Sequence, residues 1–308
     1  MEGAISKAKV ATSLTFISTG TVQIKLSMKS QPITNRSVTM RRFRSFADRK
    51  WSDDLPIGAF LISHPDGPIL FDTGESPLCN HPRYKPALSP TKLFSTVRIS
   101  PDEGIVDQLR ANGVEPKDLQ AIILSHLHGD HAGGLESLAA EAPQVPIYVT
   151  REHWDAFGKH PLYATMQGCV PEHWPKNFTP KILEYTDHAV GPWKQSCPIT
   201  SDRKVLAVDT SGHVPGHMSL IIYGDNTDGT YTTYFLTGDA TYGLDILEKE
   251  EPDGINDDPV RALESLKLIN EFANQMDVVV LPSHDPDTPR LLRDRVVYKP
   301  KSEPPLNL

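Results

Sequence analysis

Three histidines and an aspartate directly follow a short apolar run near the middle of the chain. The run covers residues 121–125 (AIILS), and its length and composition predict a buried strand. Residues two apart on an extended chain point the same way, so His126 and His128 can present their imidazoles together at the end of this strand. This spacing predicts half of a metal site.

The two residues that complete this cluster follow a glycine. Gly129 permits a tight turn, after which Asp130 and His131 can reach a second metal ion a few ångströms from the first. Neutral imidazole and carboxylate suit zinc, and they also suit iron, manganese or cobalt. The cluster therefore predicts a site for divalent metal ions.

Strand-like and helix-like segments alternate on both sides of the cluster. Before it, a capping box at Ser100-Pro101-Asp102-Glu103 predicts a helix start. After it, Asp258-Pro259 starts an amphipathic pattern that predicts a second helix. Short apolar runs predict strands at residues 11–17, 57–63, 68–71, 205–208, 218–223, 231–236 and 278–281.

Composition restricts the class of protein. Three cysteines, Cys79, Cys169 and Cys197, lie too far apart for a thiolate cluster and argue against a disulfide framework. The formal net charge of −8 argues against a general nucleic-acid partner. No apolar run approaches the length of a membrane span and no signal segment is evident, so we expect a cytoplasmic protein with no membrane partner.

Two segments depart from this pattern in an otherwise single predicted domain covering residues 1–308. Residues 25–50 carry eight basic side chains, which we interpret as a solvated face or an N-terminal lip. Residues 151–198 break the periodicity and predict either an insertion that covers a pocket or an ordinary surface loop. The aromatic residues of this insertion are Trp154, Phe157, Tyr163, Trp174, Phe178 and Trp193.

The motif H-x-H-x-D-H after a buried strand resembles the signature of the metallo-β-lactamase superfamily. Phe71-Asp72-Thr73-Gly74 before it and Ser283-His284-Asp285 near the end occur in that family's order. The resemblance implies an α/β fold, a four-layer αβ/βα sandwich with metals at one edge. Asp72 resembles the family aspartate that holds a ligand-bearing loop or orients a ligand histidine by a hydrogen bond. The competing interpretation is an aspartate that caps a turn.

The resemblance also implies a set of ligands for two divalent metal ions, with zinc as the first expectation. One ion would take His126, His128 and His217, and the other Asp130, His131 and His284. Asp239 would bridge them, and His213, in the same loop as His217, would be a supporting residue.

Within the superfamily, two further segments resemble the N-acyl homoserine lactone lactonases, the quorum-quenching branch. These are Asp239-Ala240-Thr241-Tyr242 and Pro215-Gly216-His217-Met218-Ser219. The resemblance implies hydrolysis of a small-molecule lactone by a metal-bound hydroxide, with Asp130 and Tyr242 as catalytic residues.

Other reactions stay open for such a site. The bond could belong to a lactam, to a cyclic carbamate of the benzoxazolinone type, or to a thioester as in glyoxalase II. Aromatic substrates would fit the Trp and Phe residues of the insertion. A metal-binding or redox member of the fold is the alternative outside hydrolysis, and a homodimer is left open.

Overall fold

The computed structural model describes residues 10–34, 37–84 and 93–301. Its first sheet contains β1 (Ser13–Ile24), β2 (Leu55–Ser63), β3 (Ile69–Phe71), β4 (Ser95–Arg98), β5 (Ala121–Ile123), β6 (Ile147–Thr150) and β7 (Lys181–Leu183). The spatial order is β4-β1-β2-β3-β5-β6-β7. Strands β3, β5, β6 and β7 are parallel neighbours, whereas β1 pairs antiparallel with β2 and β4.

The second sheet has five strands. They are β8 (Cys197–Pro198), β9 (Val205–Asp209), β10 (Met218–Asp225), β11 (Tyr231–Leu236) and β12 (Val279–Leu281). The spatial order is β12-β11-β10-β9-β8, and only the β11–β12 pair is parallel among these described strands.

The α-helices of the described residues are mostly short. They are α1 (Leu26–Lys29), α2 (Val38–Ala47), α3 (Ile105–Ala111), α4 (Gly129–Ala132), α5 (Leu135–Glu141), α6 (Arg151–His153), α7 (Pro161–Met166), α8 (Leu244–Glu248), α9 (Pro259–Gln275) and α10 (Thr288–Asp294). None of the helices in the described part of the chain combines the length and the apolar character that a membrane span requires.

Three sets of buried apolar side chains separate four layers. Between the first sheet and helices α3 and α5 lie Leu61, Leu70, Ile105, Leu109, Ile122 and Leu135. Between the two sheets lie Phe60, Ile62, Phe71, Leu220, Ile222 and Leu236. Between the second sheet and α9 lie Leu206, Ile221, Phe235, Leu266, Ile269 and Phe272. This layering confirms the predicted αβ/βα sandwich.

Local signals match the structure closely in two places. The predicted capping box forms at Ser100, although the helix opens with a 3₁₀ turn, Pro101–Glu103, before α3. The Asp258 carboxylate caps α9 by accepting hydrogen bonds from the N–H groups of Val260 and Arg261. The strand predicted at 11–17 continues as β1 to Ile24, because a bulge at Gly20, with φ of +93°, lets the pairing resume.

The aromatic-rich segment contributes to both sheets. It contains β7, which ends the first sheet, and β8, which ends the second. Phe157 and Trp193 are buried in the core, and Trp154, Trp174 and Phe178 pack against it. These aromatic rings therefore fill the core, contrary to the expectation that they would receive an aromatic substrate.

The basic segment 25–50 forms α1 and α2, with residues 35 and 36 outside the described part of the chain. Arg41 is 1% exposed, so it does not belong to a solvated face. Its guanidinium donates to four backbone carbonyls, those of Gln31, Pro32, Pro252 and Asp253. Arg41 thus ties the N-terminal helices to the loop that precedes α9.

Candidate metal centre

The predicted site residues meet where parallel strands of both sheets end at one edge. In the first sheet, β3 leads to Asp72 and β5 leads to the motif at residues 126–131. In the second sheet, β11 leads to Asp239 and β12 leads to His284. Because parallel neighbours finish at the same edge, these distant segments converge.

The first group of side chains consists of His126, His128, His213 and Asp239, with one ligand atom of each within 4.8 Å of the others. Nδ1 of His128 lies 2.9 Å from Nε2 of His126 and 3.1 Å from Nε2 of His213. One ring nitrogen has a single in-plane lone pair or proton, so it cannot satisfy both neighbours by hydrogen bonding. Three imidazole nitrogens that face one point are arranged as ligands of a cation.

The second group consists of Asp130, His131 and His284. Nε2 of His284 lies 3.2 Å from Nε2 of His131 and 3.6 Å from Oδ2 of Asp130. Burial alone would lower the pKa of His131, but the carboxylates of Asp239, Asp72 and Asp130 raise it well above the usual range. This side of the centre therefore favours positive charge.

Asp239, the carboxylate of the first group, also faces the second group and is 2% exposed. Its Oδ1 is 3.1 Å from Nε2 of His131 and 3.2 Å from Nε2 of His284, while its Oδ2 is 3.5 Å from Nε2 of His213. Burial alone would raise the pKa of Asp239, but His131 and His284 hold it well below the usual range. An ionised carboxylate that faces both groups has the position of a bridging ligand.

Four of the histidines form a hydrogen bond through Nδ1, the ring nitrogen that faces away from the centre. A proton on Nδ1 leaves the Nε2 lone pair directed at the centre, which is the arrangement of metal-ligating histidines. The acceptors are the Ser125 hydroxyl for His126 (2.9 Å), the Asp72 carboxylate for His131 (2.9 Å), the Asp253 carboxylate for His213 (3.1 Å) and the Pro56 carbonyl for His284 (2.8 Å).

The chemistry of the donors fits divalent metal ions. Burial lowers the pKa of both His126 and His128 well below the usual range, so their rings are neutral and can bind a cation. Nitrogen and carboxylate donors in this number are those that zinc and neighbouring transition metals take.

The geometry reverses the expected roles of His213 and His217. Both ring nitrogens of His217 are engaged by protein groups: Nε2 accepts the Asp239 N–H at 3.0 Å, and Nδ1 lies 2.9 Å from Oγ1 of Thr210. His217 therefore supports the loop of Asp239 and has no ring nitrogen left for a cation. His213, expected to be the supporting residue, faces the first group instead.

Asp72 is a buried residue with a left-handed backbone, at φ of +61°. Its carboxylate accepts hydrogen bonds from the Ser125 N–H (2.7 Å), the Ser125 hydroxyl (2.8 Å) and Nδ1 of His131. A strained backbone that persists at such a position indicates a functional constraint. Asp72 therefore holds the ligand-bearing loop in place, as the family resemblance implies.

Tyr242 lies beside the bridging position. Its hydroxyl donates to Oδ2 of Asp239 at 2.9 Å, and its ring stacks on His284 with centroids 5.2 Å apart. Burial raises the pKa of Tyr242 well above the usual range, so the phenol keeps its proton at neutral pH.

A cavity of about 440 Å³ opens next to the two groups. The site residues in its wall are His128, Asp130, His213, Asp239 and Tyr242. One face is apolar and includes Val22, Ile24, Met28, Phe94, Val97 and Ile255. The cavity is large enough for a small organic substrate next to the candidate metal ligands.

Sequence reasoning missed the contact between Asp253 and His213. Asp253 lies in a stretch of proline, aspartate and glycine, where an aspartate ordinarily indicates a turn. Asp253 does make such a turn, since its Oδ1 accepts the Ile255 N–H at 2.9 Å, but its buried Oδ2 also lies 3.1 Å from Nδ1 of His213. Only the folded position of this loop shows the second contact.

Comparison with known proteins agrees with this geometry. The family model of the metallo-beta-lactamase superfamily matches residues 53–284. The N-acyl homoserine lactonase AiiA of Bacillus thuringiensis subsp. kurstaki is 32% identical over 234 residues, which cover 75% of this chain and 82% of that protein. The lactonase AttM of Rhizobium radiobacter is 28% identical over 76% of this chain and 83% of its own length.

A solved structure resembles the whole fold. It is an N-acyl homoserine lactone hydrolase with the product N-hexanoyl-L-homoserine bound at the catalytic metal center. It aligns with a TM-score of 0.68 at 27% identity, over 92% of this chain and 96% of its own. With the layers, the ligand geometry and the match over residues 53–284, these likenesses show that the chain belongs to the metallo-β-lactamase superfamily.

Proposed function

We propose that the protein is a metal-dependent hydrolase that opens a cyclic ester, with N-acyl homoserine lactones as the first substrate class. The observation that carries this proposal is the pair of ligand groups that share Asp239 at the edge of a cavity. The lactonase relatives, and the acyl homoserine bound in the structure that is 27% identical, support it.

In this proposal, His126, His128 and His213 hold one divalent ion and Asp130, His131 and His284 hold the other. Asp239 is shared between them. Zinc is the first choice for both ions, and iron, manganese and cobalt suit the same donors. When bound, such ions act as Lewis acids and lower the pKa of water.

Tyr242 would stabilise the negative charge that develops when the ester carbonyl is attacked. Its buried phenol carries a proton that points at Oδ2 of Asp239. When a substrate carbonyl enters the cavity, the same proton can turn to the carbonyl oxygen. A donor placed in advance at this position stabilises the oxyanion without reorganisation.

Asp130 would move the proton that ring opening requires. Its side chain is 26% exposed and borders the cavity, whereas His131 and His284 are buried. A carboxylate in this position can take a proton from the attacking water and deliver it to the alkoxide that leaves the ring.

Hydrolysis by the zinc-loaded protein tests the proposal. Ring opening of N-hexanoyl homoserine lactone is measured by the release of a proton. We expect its turnover rate to exceed the rates for a β-lactam and for a glutathione thioester. Asp239→Asn, which removes the shared charge, should abolish it. Full activity of Asp239→Asn with both metals retained would contradict the shared carboxylate, and a panel in which only the thioester is cleaved would contradict the lactone assignment.

One observation favours a second candidate, an aromatic lactam or cyclic carbamate. The rings of Phe46 and Phe94 are stacked with centroids 5.0 Å apart, and both residues line the cavity. A flat fused substrate would stack on such rings. Adding a benzoxazolinone to the panel separates the candidates, because a kcat/KM above that of the lactone would assign the site to it.

A further inference from the structure

Two buried polar side chains in the cavity wall have no part in the chemistry described above. They are Glu75, which is 6% exposed, and His173, which is 1% exposed. Nδ1 of His173 lies 3.8 Å from Oε1 of Glu75. Glu75 comes from the loop after β3 and His173 from the segment between α7 and β7, and both line the cavity.

The protein leaves much of this pair without hydrogen bonds. Oε1 of Glu75 accepts the Ser76 N–H at 2.8 Å, but Oε2 accepts no hydrogen bond from the described residues. Neither ring nitrogen of His173 has a hydrogen-bond partner within that same part of the chain. Buried polar atoms without partners destabilise a fold, and in a cavity wall a ligand can supply the missing partner.

Glu75 is held close to the candidate metal centre. Oε2 of Glu75 lies beside Gly129, which stands between His128 and Asp130 in the sequence. The distance is 3.6 Å from Oε2 to the position that a Cβ atom would take at Gly129. The backbone N–H of Glu75 donates to Oγ1 of Thr19 at 3.0 Å. The carboxyl is therefore fixed in advance, beside the place where the reacting ring would bind.

The chemistry of the pair indicates an amide. Oε2 of Glu75 can accept a hydrogen bond from an amide N–H, and a neutral imidazole such as that of His173 offers one donor nitrogen and one acceptor nitrogen. The apolar face of the cavity, with Met28 and Phe94, suits an alkyl chain. A ligand with a polar group next to the ring and an apolar chain beyond it would satisfy both surfaces.

We propose that Glu75, backed by His173, is a specificity-determining residue that hydrogen-bonds the exocyclic amide of an acylamino lactone. This inference rests on the proposed lactone-opening function. It predicts that the enzyme distinguishes lactones by the substituent on the ring carbon next to the carbonyl, in addition to the ring itself.

The test compares two substrates that differ in the amide. They are N-hexanoyl homoserine lactone and α-heptyl-γ-butyrolactone, which has the same ring and a chain of equal length without the amide. We expect Glu75→Leu to lower kcat/KM for the acylamino lactone about tenfold or more relative to the alkyl lactone, because a hydrogen bond to the substrate is lost. Glu75→Gln, which keeps an acceptor oxygen in the same place, should restore the ratio to within about threefold of the wild type.

Metal content and thermal stability are measured for each variant. A purely structural role for Glu75 would lower kcat/KM for both lactones equally and leave their ratio unchanged, which would overturn the inference while the proposed function stands. A wild-type protein that opens neither lactone would overturn both. If Glu75→Leu does not fold, His173→Phe takes its place, since it keeps the ring packed on Tyr84; an unchanged ratio in that variant would likewise overturn the inference.

Discussion

At Tyr242, a protonated phenol donates to the carboxylate that faces both histidine groups. Replacing it with phenylalanine keeps the ring that stacks on His284 and removes only the donor. We expect Tyr242→Phe to lower kcat for the lactone about 100-fold, because one donor to a developing oxyanion contributes about that much. Steady-state kinetics of the zinc-loaded variant provide the measurement.

Metal content serves as the control for this variant. The phenol is absent from both ligand groups, so Tyr242→Phe should bind the same amount of zinc as the wild type. Unchanged kinetics would assign Tyr242 to packing alone.

His213 and His217 lie four residues apart in one loop, and the different surroundings of their ring nitrogens predict different roles. We expect His213→Asn to weaken the binding of one zinc equivalent by about 100-fold or more, because a ligand is lost. We expect His217→Asn to keep both equivalents but to lower the free energy of unfolding by about 1–3 kcal/mol, because the Asp239 N–H loses its buried acceptor. Zinc titration against a chelator and urea unfolding measure the two effects, and the opposite pattern would restore His217 as the ligand.

Sequence reasoning found six of the seven residues in the two groups and misplaced one. The motif at 126–131 is predictable because extended residues two apart share a direction. The loop that holds His213 is not predictable in this way, since Gly212 and Gly216 take φ of +137° and +69°. These backbone turns decide which imidazole faces the centre, and no periodicity in the sequence encodes them.

Helix α2 is coupled to the centre through its buried arginine. Arg41 donates to the backbone carbonyl of Asp253, whose carboxylate holds Nδ1 of His213. We expect Arg41→Leu to lower both the free energy of unfolding and the affinity for zinc, the latter about tenfold, because support from behind a ligand is worth about that much. Urea unfolding and chelator competition are the measurements.

Arg44 provides a matched control on the same helix, since it is exposed. Arg44→Leu should leave the affinity for zinc within about twofold of the wild type, as expected for a surface substitution. If Arg41→Leu and Arg44→Leu lowered the affinity for zinc equally, the cause would be the positive charge of the helix and not the hydrogen bond from Arg41 to Asp253.

The helices and strands differ in how far their local sequence predicts their secondary structure. Helix α9 is predictable because Asp258 caps it and its apolar residues recur at helical spacing. Strands β7 and β8 have three and two residues and lie in an aromatic stretch without alternation. Their pairing with β6 and β9 forms them, so tertiary contacts decide their structure and local pattern does not.

We expect the free energy of unfolding of the whole protein to fall in mild acid, because the buried His153 resists protonation. Burial lowers the pKa of this residue to about 4, and its nitrogens join two segments: Nδ1 donates to the Pro215 carbonyl and Nε2 accepts the Leu127 N–H. Between about pH 6.5 and about pH 4 the unfolded chain binds a proton that the folded chain does not, so stability falls as the pH falls. From pH 7.5 to pH 5, this difference lowers the free energy of unfolding by about 2 kcal/mol.

Urea unfolding at the two pH values measures this effect, with His153→Gln as the comparison. The variant should lose about 2 kcal/mol less than the wild type over the same interval, because its side chain does not titrate. Equal losses in both proteins would show that His153 does not contribute.

The family was predictable from the sequence, and the match over residues 53–284 confirms it. The substrate class was predictable from the family resemblance, but selectivity within that class was not, because the cavity wall is assembled from β1, the loop after β3, and the segment around Val170. Its shape depends on how these parts of the chain dock, and the sequence shows each of them only separately.

Four residues of the two groups precede β8 and three follow it. Neither half of the polypeptide therefore contains a complete set of the candidate ligands, so we expect metal binding to require that the two sheets have packed against each other. Uptake of a coloured ion such as cobalt during refolding would report this packing: its absorption band would rise with the final kinetic phase, after the aromatic fluorescence had already changed.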